Sequence, residues 1–505
     1  MPPLPLYART SLTRAVRLAL FGLTLASLPA MALLPRQAMA QSTAPYAIAA
    51  GPLGKALSQF GVQAGVTISF DTEQARHLTT GGLQGAYSVE EGLARLLANS
   101  GLQAQRQSNG GYVLVTATAQ AALELGATQV TANQLGTVTE GSGSYTPGTI
   151  ATATRLVLTP RQTPQSISVV TRQAMDDFSL KSIDDVMRYT PGITVATYDS
   201  ERTAYFSRGF AIQNFQYDGI PILQDAQYSS GHTLTDTVMY DRVEILKGAT
   251  GLLTGAGGSG GTINMVRKKP TSAFKGYIDL GAGSWDNYRS EIDISGPLTE
   301  TGNVRGRAVA AYQDKHTFLD HYQRKTNVYY GILEFDLSPD TLLTVGGDYQ
   351  DSDPQGSSWS GSASLYDSAG NRINTSRSFN NGAKFSKWEQ YTRTVFATLE
   401  HSFENGWVAK AQYNHQINGY DAPLAALLSP DVNTGKAMML TRKYTGETTS
   451  DTGDLYATGP FSLFGREHEL VLGTSVSRSR WLGRDYTNAT NFNNSHDYFN
   501  WDGNA

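Results

Sequence analysis

The chain has 505 residues, 40 Lys+Arg against 44 Asp+Glu for a net charge of -4, and no Cys. The balanced charge argues against nucleic acid as a main partner, because that needs a basic patch; the missing Cys excludes disulfides, thiolate zinc, iron–sulfur clusters and thiol catalysis. With 51 Gly, 26 Tyr and a mean hydropathy of -0.31, the chain reads as turn-rich β-structure rather than a helical membrane protein, which needs about 20 apolar residues per span.

Arg9, Arg14 and Arg17 precede an apolar run, Leu18 to Leu34, that is broken by Pro29 and followed by Ala38-Met39-Ala40. Basic, apolar and small-residue segments in that order predict a secretory signal over 1–40, with the mature chain beginning near Gln41. Residues 44–118 read as a small α/β module. Leu53, Ala56, Leu57 and Phe60 fall on one helix face, Val66 to Phe70 is a short strand, and Ser88-Val89-Glu90-Glu91 is a capping box before Leu93, Leu96 and Leu97. Asn109-Gly110-Gly111 then predicts a hairpin. The module offers no catalytic constellation, so docking is its expected role.

Residues 119–150 are rich in small and polar residues, and this composition predicts a mobile strap. Within it, Leu125 to Ala132 is uncharged and β-prone, suited to adding a strand to a partner's sheet edge.

Residues 151–270 form the most informative stretch. A strand opened by Pro164 (to Val170) is followed by a helix capped at Ser182 and stopped at Pro191-Gly192. Next come a tight turn at Tyr217-Asp218-Gly219-Ile220-Pro221 and a strand, Tyr240 to Lys247, running into a Gly-rich segment. Gly257-Gly258-Ser259-Gly260-Gly261 satisfies G-x-S-x-G, but a nucleophile elbow needs a helix next and Thr262 to Val266 reads as a strand. The run lacks the order of a phosphate loop, Ser272-Ala273-Phe274-Lys275 has no supporting K-T-G, and His468-Glu469 does not continue to H-E-x-x-H. Glycines that permit close backbone packing are the expected explanation, and no catalytic residue is assigned.

From residue 271 to 505 the pattern alternates. Nine β segments are predicted, near 275–283, 287–295, 304–313, 327–337, 341–351, 389–401, 406–419, 449–459 and 466–480. Most match or exceed the roughly 9–11 residues that a tilted strand needs to cross a bilayer core. Leu343, Val345 and Tyr349 oppose Thr344, Asp348 and Gln350, as lipid and lumen faces would. Tight turns (338–340, 404–406) alternate with long loops (352–388, 420–448), the habit of outer-membrane barrels.

Four motifs together carry a resemblance: Ser207-Arg208-Gly209-Phe210, Asp218-Gly219-Ile220-Pro221, Arg242-Val243-Glu244-Ile245-Leu246-Lys247-Gly248 and Gly261-Thr262-Ile263-Asn264. They resemble the plug of TonB-dependent siderophore receptors, and the 44–118 module resembles the periplasmic signalling domain, related to one in secretins, that begins some of these receptors. The order of parts is similar to the transducing subfamily that includes ferric pyoverdine receptors. The resemblance implies a mainly β fold: an outer-membrane β-barrel with an internal α/β plug and a small N-terminal α/β signalling domain. Plugged transporters have about 22 strands, so nine lead us to expect a C-terminally truncated chain.

The resemblance further implies binding of a ferric siderophore, import with energy supplied by TonB, and signalling to an inner-membrane anti-sigma regulator. Iron would be carried by the siderophore, with no protein cofactor or metal ligand, and the chain would act as a monomer in outer-membrane lipid. It places the TonB box at Ala127, Thr128, Gln129, Val130 and Thr131. Candidate ligand-binding aromatics are Tyr198, Tyr205 and Tyr228 on plug loops and Trp359 and Tyr366 on an outer loop, and candidate plug–barrel contacts are Arg208 and Glu244. The alternatives are a sensor or docking protein that never transports, such as a relic retaining only the signalling domain, and a secretin-like assembly protein, in which the plug motifs have no place.

Overall fold

The structure, a computed structural model, describes residues 44–70, 78–98, 100–106, 112–116, 136–222, 236–249, 258–359, 364–487 and 495–505. The signal-like 1–40, Ala127 to Thr131 and Tyr228 lie outside the described residues. The chain divides into two units, 1–128 and 129–505.

The first unit runs β1 (Ala44–Ile48), β2 (Gly51–Pro52), α1 (Leu53–Ala64), β3 (Ile68–Ser69), β4 (Thr79–Thr80), β5 (Leu83–Tyr87), α2 (Val89–Leu96), β6 (Leu102–Arg106) and β7 (Tyr112–Thr116). Its sheets are β1–β5, β2–β4 and β3–β7–β6, with β3 parallel to β7. Leu53, Ala56, Leu57 and Phe60 form the buried face of α1. In α2 the capping box closes reciprocally: the Glu91 amide donates to Ser88 Oγ (3.3 Å) and the Ser88 amide to Glu91 Oε2 (3.1 Å). A Cβ on Gly92 would sit 2.5 Å from the Phe60 ring, so the two helices approach only because this mid-helix residue has no side chain.

The second unit opens with a plug: β8 (Ser166–Thr171), α3 (Arg172–Asp177), α4 (Ile183–Tyr189), β9 (Ile193–Thr197), β10 (Thr203–Ser207), β11 (Phe210–Ala211), β12 (Asn214–Tyr217), β13 (Ile220–Ile222), β14 (Tyr240–Lys247) and β15 (Gly261–Arg267). The main sheet has the order β13-β12-β15-β14-β8, with β12 and β15 parallel, and a smaller sheet has the order β11-β10-β9. Asp218 (φ 51°) and Gly219 (φ 82°) supply the two positive φ angles that a tight β12–β13 turn needs. The glycine run serves close backbone packing. A Cβ on Gly260 would lie 2.2 Å from the Ala211 carbonyl oxygen and one on Gly261 2.1 Å from that of Leu246. Ser259 leads into β15, a strand, and not into the helix of a nucleophile elbow.

Nine antiparallel strands follow in sequential order: β16 (Lys275–Gly283), β17 (Asn287–Pro297), β18 (Val304–His316), β19 (Gln323–Ser338), β20 (Thr341–Gln355), β21 (Glu389–Ser402), β22 (Val408–Leu428), β23 (Lys436–Leu463) and β24 (Arg466–Thr487), with β25 (Ser495–Asp497) paired to β23. The alternation is real: Arg289, Glu291, Asp293, Thr344, Asp348 and Gln350 are buried, while Ile292, Ile294, Val395 and Leu399 are exposed on the outer face. Val328 and Ile332 of the inner face join the plug residues Met175, Ile183, Val243, Ile263 and Met265 in one hydrophobic core. Among the described residues no helix is long and apolar enough to cross a membrane; any crossing is by strands.

Three expectations are corrected. The expected long loop over 420–448 is a hairpin, with pairing that continues to Leu428↔Met438; it persists because Tyr420, Ala422, Leu424 and Ala426 bury against Trp359 and Trp388. The inner face is not a watery lumen where the plug fills it: Asp348 and Arg289 pair with plug charges, and Val328 and Ile332 join the plug's core. The expected mobile strap is fastened from Gly136 onward: Gly136 bridges Ile150, and Thr139 and Ile150 are buried.

Candidate functional site

Charged side chains line the seam where the plug meets the β-wall, and they form the first part of the site. Plug cations meet acids of the wall. Arg155 makes a two-pronged contact with Asp454 (2.8 Å each) and lies over the Tyr456 ring, Lys181 reaches Glu291 (3.0 Å), and Lys268 reaches Asp293 (2.9 Å). Arg267 is wholly buried between Asp218 of the plug (2.8 Å) and Asp348 of β20 (3.4 Å), with the Tyr217 and Phe396 rings against its guanidinium.

Charges also cross the other way. Asp236 of the plug receives both Nη groups of Arg289 on β17 (2.6 and 2.9 Å), and Glu140 receives both Nη groups of Arg307 on β18 (2.6 Å each). Burial drives the Asp218 carboxyl upward, but Arg267 beside it prevails and holds it below the ordinary aspartate value; Arg307 does the same for Glu140. Paired forks of this kind satisfy the geometry of a desolvated carboxylate and make each contact directional.

The strap over 136–150 is clasped from two sides. The Thr139 and Glu140 amides donate to the Asp241 carboxylate (3.0 and 2.8 Å), Thr137 pairs with Thr149, and the Glu140 side chain holds Arg307 of the wall.

The plug apex forms the second part. The Tyr198 amide donates to the Arg202 carbonyl (2.8 Å), closing a turn after β9. Asp199 accepts from the Arg202 amide (3.0 Å) and from Arg202 Nε (2.8 Å). Ser200 and Ser358 exchange amide-to-hydroxyl bonds (2.9 and 3.0 Å), Glu201 accepts from the Tyr322 hydroxyl (2.7 Å), and the Arg202 guanidinium lies 5.2 Å from the Trp388 ring centre. Burial pushes the Glu201 carboxyl up, against the pull of nearby Arg324.

The candidate residues divide between these settings. Tyr198 (51% exposed) and Tyr366 (61% exposed) are open at the surface. Tyr205 is corrected to a plug-core residue: it is 1% exposed and its hydroxyl donates to Asp184 Oδ1 (2.5 Å). Trp359 is likewise packed, 8% exposed and edge-on to Tyr444. Arg208 is exposed with φ 53°, and Glu244 is fully buried inside the plug against Arg242 (2.6 Å) and Thr152; among the described residues neither makes an ion pair to the wall. Arg155, Lys181, Asp236, Arg267 and Lys268 make the seam instead, and none stood out because their partners lie far along the chain. Ser200, Glu201, Arg202, Tyr322 and Trp388 were also missed; the charged run 199–202 between two strands was the only signal. Among the described residues no three His, Asp or Glu side chains come together to hold a metal.

Comparison with known proteins agrees with this architecture. Residues 159–262 match the TonB-dependent receptor plug domain, and residues 66–117 match the secretin and TonB N-terminus short domain. The chain is 62% identical, over 89% of its length and 56% of the relative's, to the ferripyoverdine receptor of Pseudomonas aeruginosa. It is 43% identical, over 92% of its length and 58% of the relative's, to the ferric-pyoverdine BN7/BN8 receptor of Pseudomonas putida. The crystal structure of the outer-membrane ferripyoverdine receptor of Pseudomonas aeruginosa bound to ferripyoverdine superposes with a TM-score of 0.71 at 58% identity, covering 92% of this chain and 59% of that one. The alcaligin receptor of Bordetella pertussis gives a TM-score of 0.55 at 33% identity, covering 69% of this chain and 53% of that one. The chain thus spans little more than half the length of the relatives it matches.

Proposed function

We propose that this chain, which belongs to the TonB-dependent receptors, works in the outer membrane as a receptor for a ferric siderophore of the pyoverdine class and imports it with energy supplied through TonB. The observation that carries this reading is the seam of oriented ion pairs between plug and wall. A plug held by many directional contacts stays shut by itself, and passage needs work delivered from the periplasmic side. The clasped strap leads from the segment of the TonB box, Ala127 to Thr131, directly to those contacts, so a pull there would meet Glu140 and Asp241 first. Tyr198 and Tyr366, exposed on a plug turn and an outer loop, are the retained candidates for ligand contact, with Tyr228 beside them from the sequence. The N-terminal unit, with its own hydrophobic core, would carry ligand occupancy to an inner-membrane anti-sigma regulator from the periplasm.

The test is binding and uptake of ferripyoverdine by cells carrying the chain. Val130→Pro removes a backbone donor from the segment that would pair with TonB, so uptake should vanish while binding is kept. Binding without uptake in the unaltered chain would instead favour a sensor that does not transport, and absence of binding would overturn the ligand assignment.

A further inference from the structure

The turn Tyr198–Arg202 has a division of labour that the seam of ion pairs does not explain. Its two carboxylates are both buried, Asp199 at 4% and Glu201 at 0% exposure, while Tyr198 beside them is half open. Asp199 acts within the turn, tying the Arg202 amide and guanidinium to one carboxylate. Glu201 acts outside it, on the wall, through the Tyr322 hydroxyl at 2.7 Å. Tyr322 sits at the foot of β19, where the 317–322 connection ends. Ser200 grips Ser358, in the separate 356–388 connection, and Arg202 lies over Trp388, which leads into β21. One five-residue turn is therefore fixed at three points, Tyr322, Ser358 and Trp388, to two separate connections of the wall.

We infer that Glu201 is a positioning residue for ligand recognition: by holding Tyr322, it fixes the apex turn so that Tyr198 and Arg202 are presented together toward the outer mouth, without itself touching ligand. This deepens the receptor reading and rests on it. The physical basis is preorganisation. A recognition turn already held in its binding geometry does not have to be ordered when the ligand arrives, so loosening it weakens affinity even where no ligand contact is removed. A carboxylate–phenol bond suits this role because it is directional and, being buried, is not exchanged for water.

The experiment measures ferripyoverdine affinity on the full chain in detergent micelles, together with Trp emission from the ligand-free chain, using Trp388→Phe to identify the Trp388 contribution. Glu201→Ala and Tyr322→Phe should each weaken binding by about tenfold. The double variant should be no worse than the weaker single variant, because both remove the same contact. Glu201→Gln, which can still accept from Tyr322, should stay within about threefold of the parent. Tyr322→Phe guards against misfolding, since it deletes one oxygen atom. Additive losses, or parental affinity in Glu201→Ala, would overturn the inference. If the parent chain itself fails to bind ferripyoverdine, the receptor reading fails, and the positioning role is decided by emission alone: a changed Trp388 contribution in Glu201→Ala and not in Glu201→Gln supports it, and an unchanged spectrum in both sinks it.

Discussion

Replacing Glu140 by Gln should release the clasped strap before it disturbs any other part of the plug. Glu140 accepts two charge-assisted bonds from Arg307 at 2.6 Å each, and its side chain retains 22% exposure. Removing one partner of a fully buried pair costs about 3–5 kcal/mol, chiefly because the other charge is stranded. Here Arg307 would not be stranded: it keeps Asp293 (2.8 and 2.7 Å) and the Lys269 carbonyl (3.0 Å). The neutral amide also preserves one acceptor. The expected cost is thus about 2 kcal/mol, or roughly a 30-fold rise in the population of the undocked strap. Amide hydrogen exchange reads it directly, because the Thr137, Thr139 and Glu140 amides donate to Thr149 and Asp241 and are protected only while the strap is docked. Exchange in 136–150 should accelerate by that factor while β14 and β15 keep parental rates. Equal rates in variant and parent would refute the claim that Glu140 latches the strap, and faster exchange throughout the plug would show that the contact serves global stability.

The same latch should respond to acid. Burial pushes the Glu140 carboxyl up, yet Arg307 holds it below its ordinary 4.5, so its contribution is complete above pH 4.5 and is lost as the pH falls through the lower folded value; strap exchange corrected for intrinsic rates should match at neutral pH and at about pH 5, then rise on further acidification. Gly261→Ala should cost about 3 kcal/mol in denaturant unfolding of the second unit, since φ is +140° there and the new methyl would meet the Leu246 carbonyl oxygen; full retention of stability would remove the packing account of the glycine run. Ser88→Ala should destabilise the first unit by about 1 kcal/mol through loss of the α2 capping box, and Ser88→Thr should recover most of it; equal stability of Ala and parent would contradict the capping role.

The sequence revealed the wall better than the seam. Nine strands could be counted because each membrane-length segment alternates and is closed by turn residues such as Pro339-Asp340 or Asn405-Gly406. Their outer reaches could not be read, because Thr445, Glu447, Thr449 and Asp451 on the exposed side of β23 are as polar as a loop. The seam was illegible for a different reason. Asp454 and Arg155 are 299 residues apart, and nothing local indicates which buried acid a plug cation will meet. Tyr198 and Tyr205 look alike in sequence. Only the pairing of β10 with β9 and the packing of α4 turn Tyr205 onto Asp184 and leave Tyr198 outside.

The ribbon formed by β22 and β23 has a consequence for how a cell's surroundings meet this protein. β23 has 28 residues; at about 3.3 Å per residue and a tilt near 40°, it rises roughly 70 Å, more than twice the ~30 Å thickness of the hydrocarbon layer. Were the sheet to cross the outer membrane with its tight turns inward, the tip around residues 429–435 would stand well clear of the lipid headgroups at the end of a paired, register-locked ribbon. An antibody raised against that tip would meet a stiff conformational epitope, and a linear peptide copied from it would be a poor immunogen substitute.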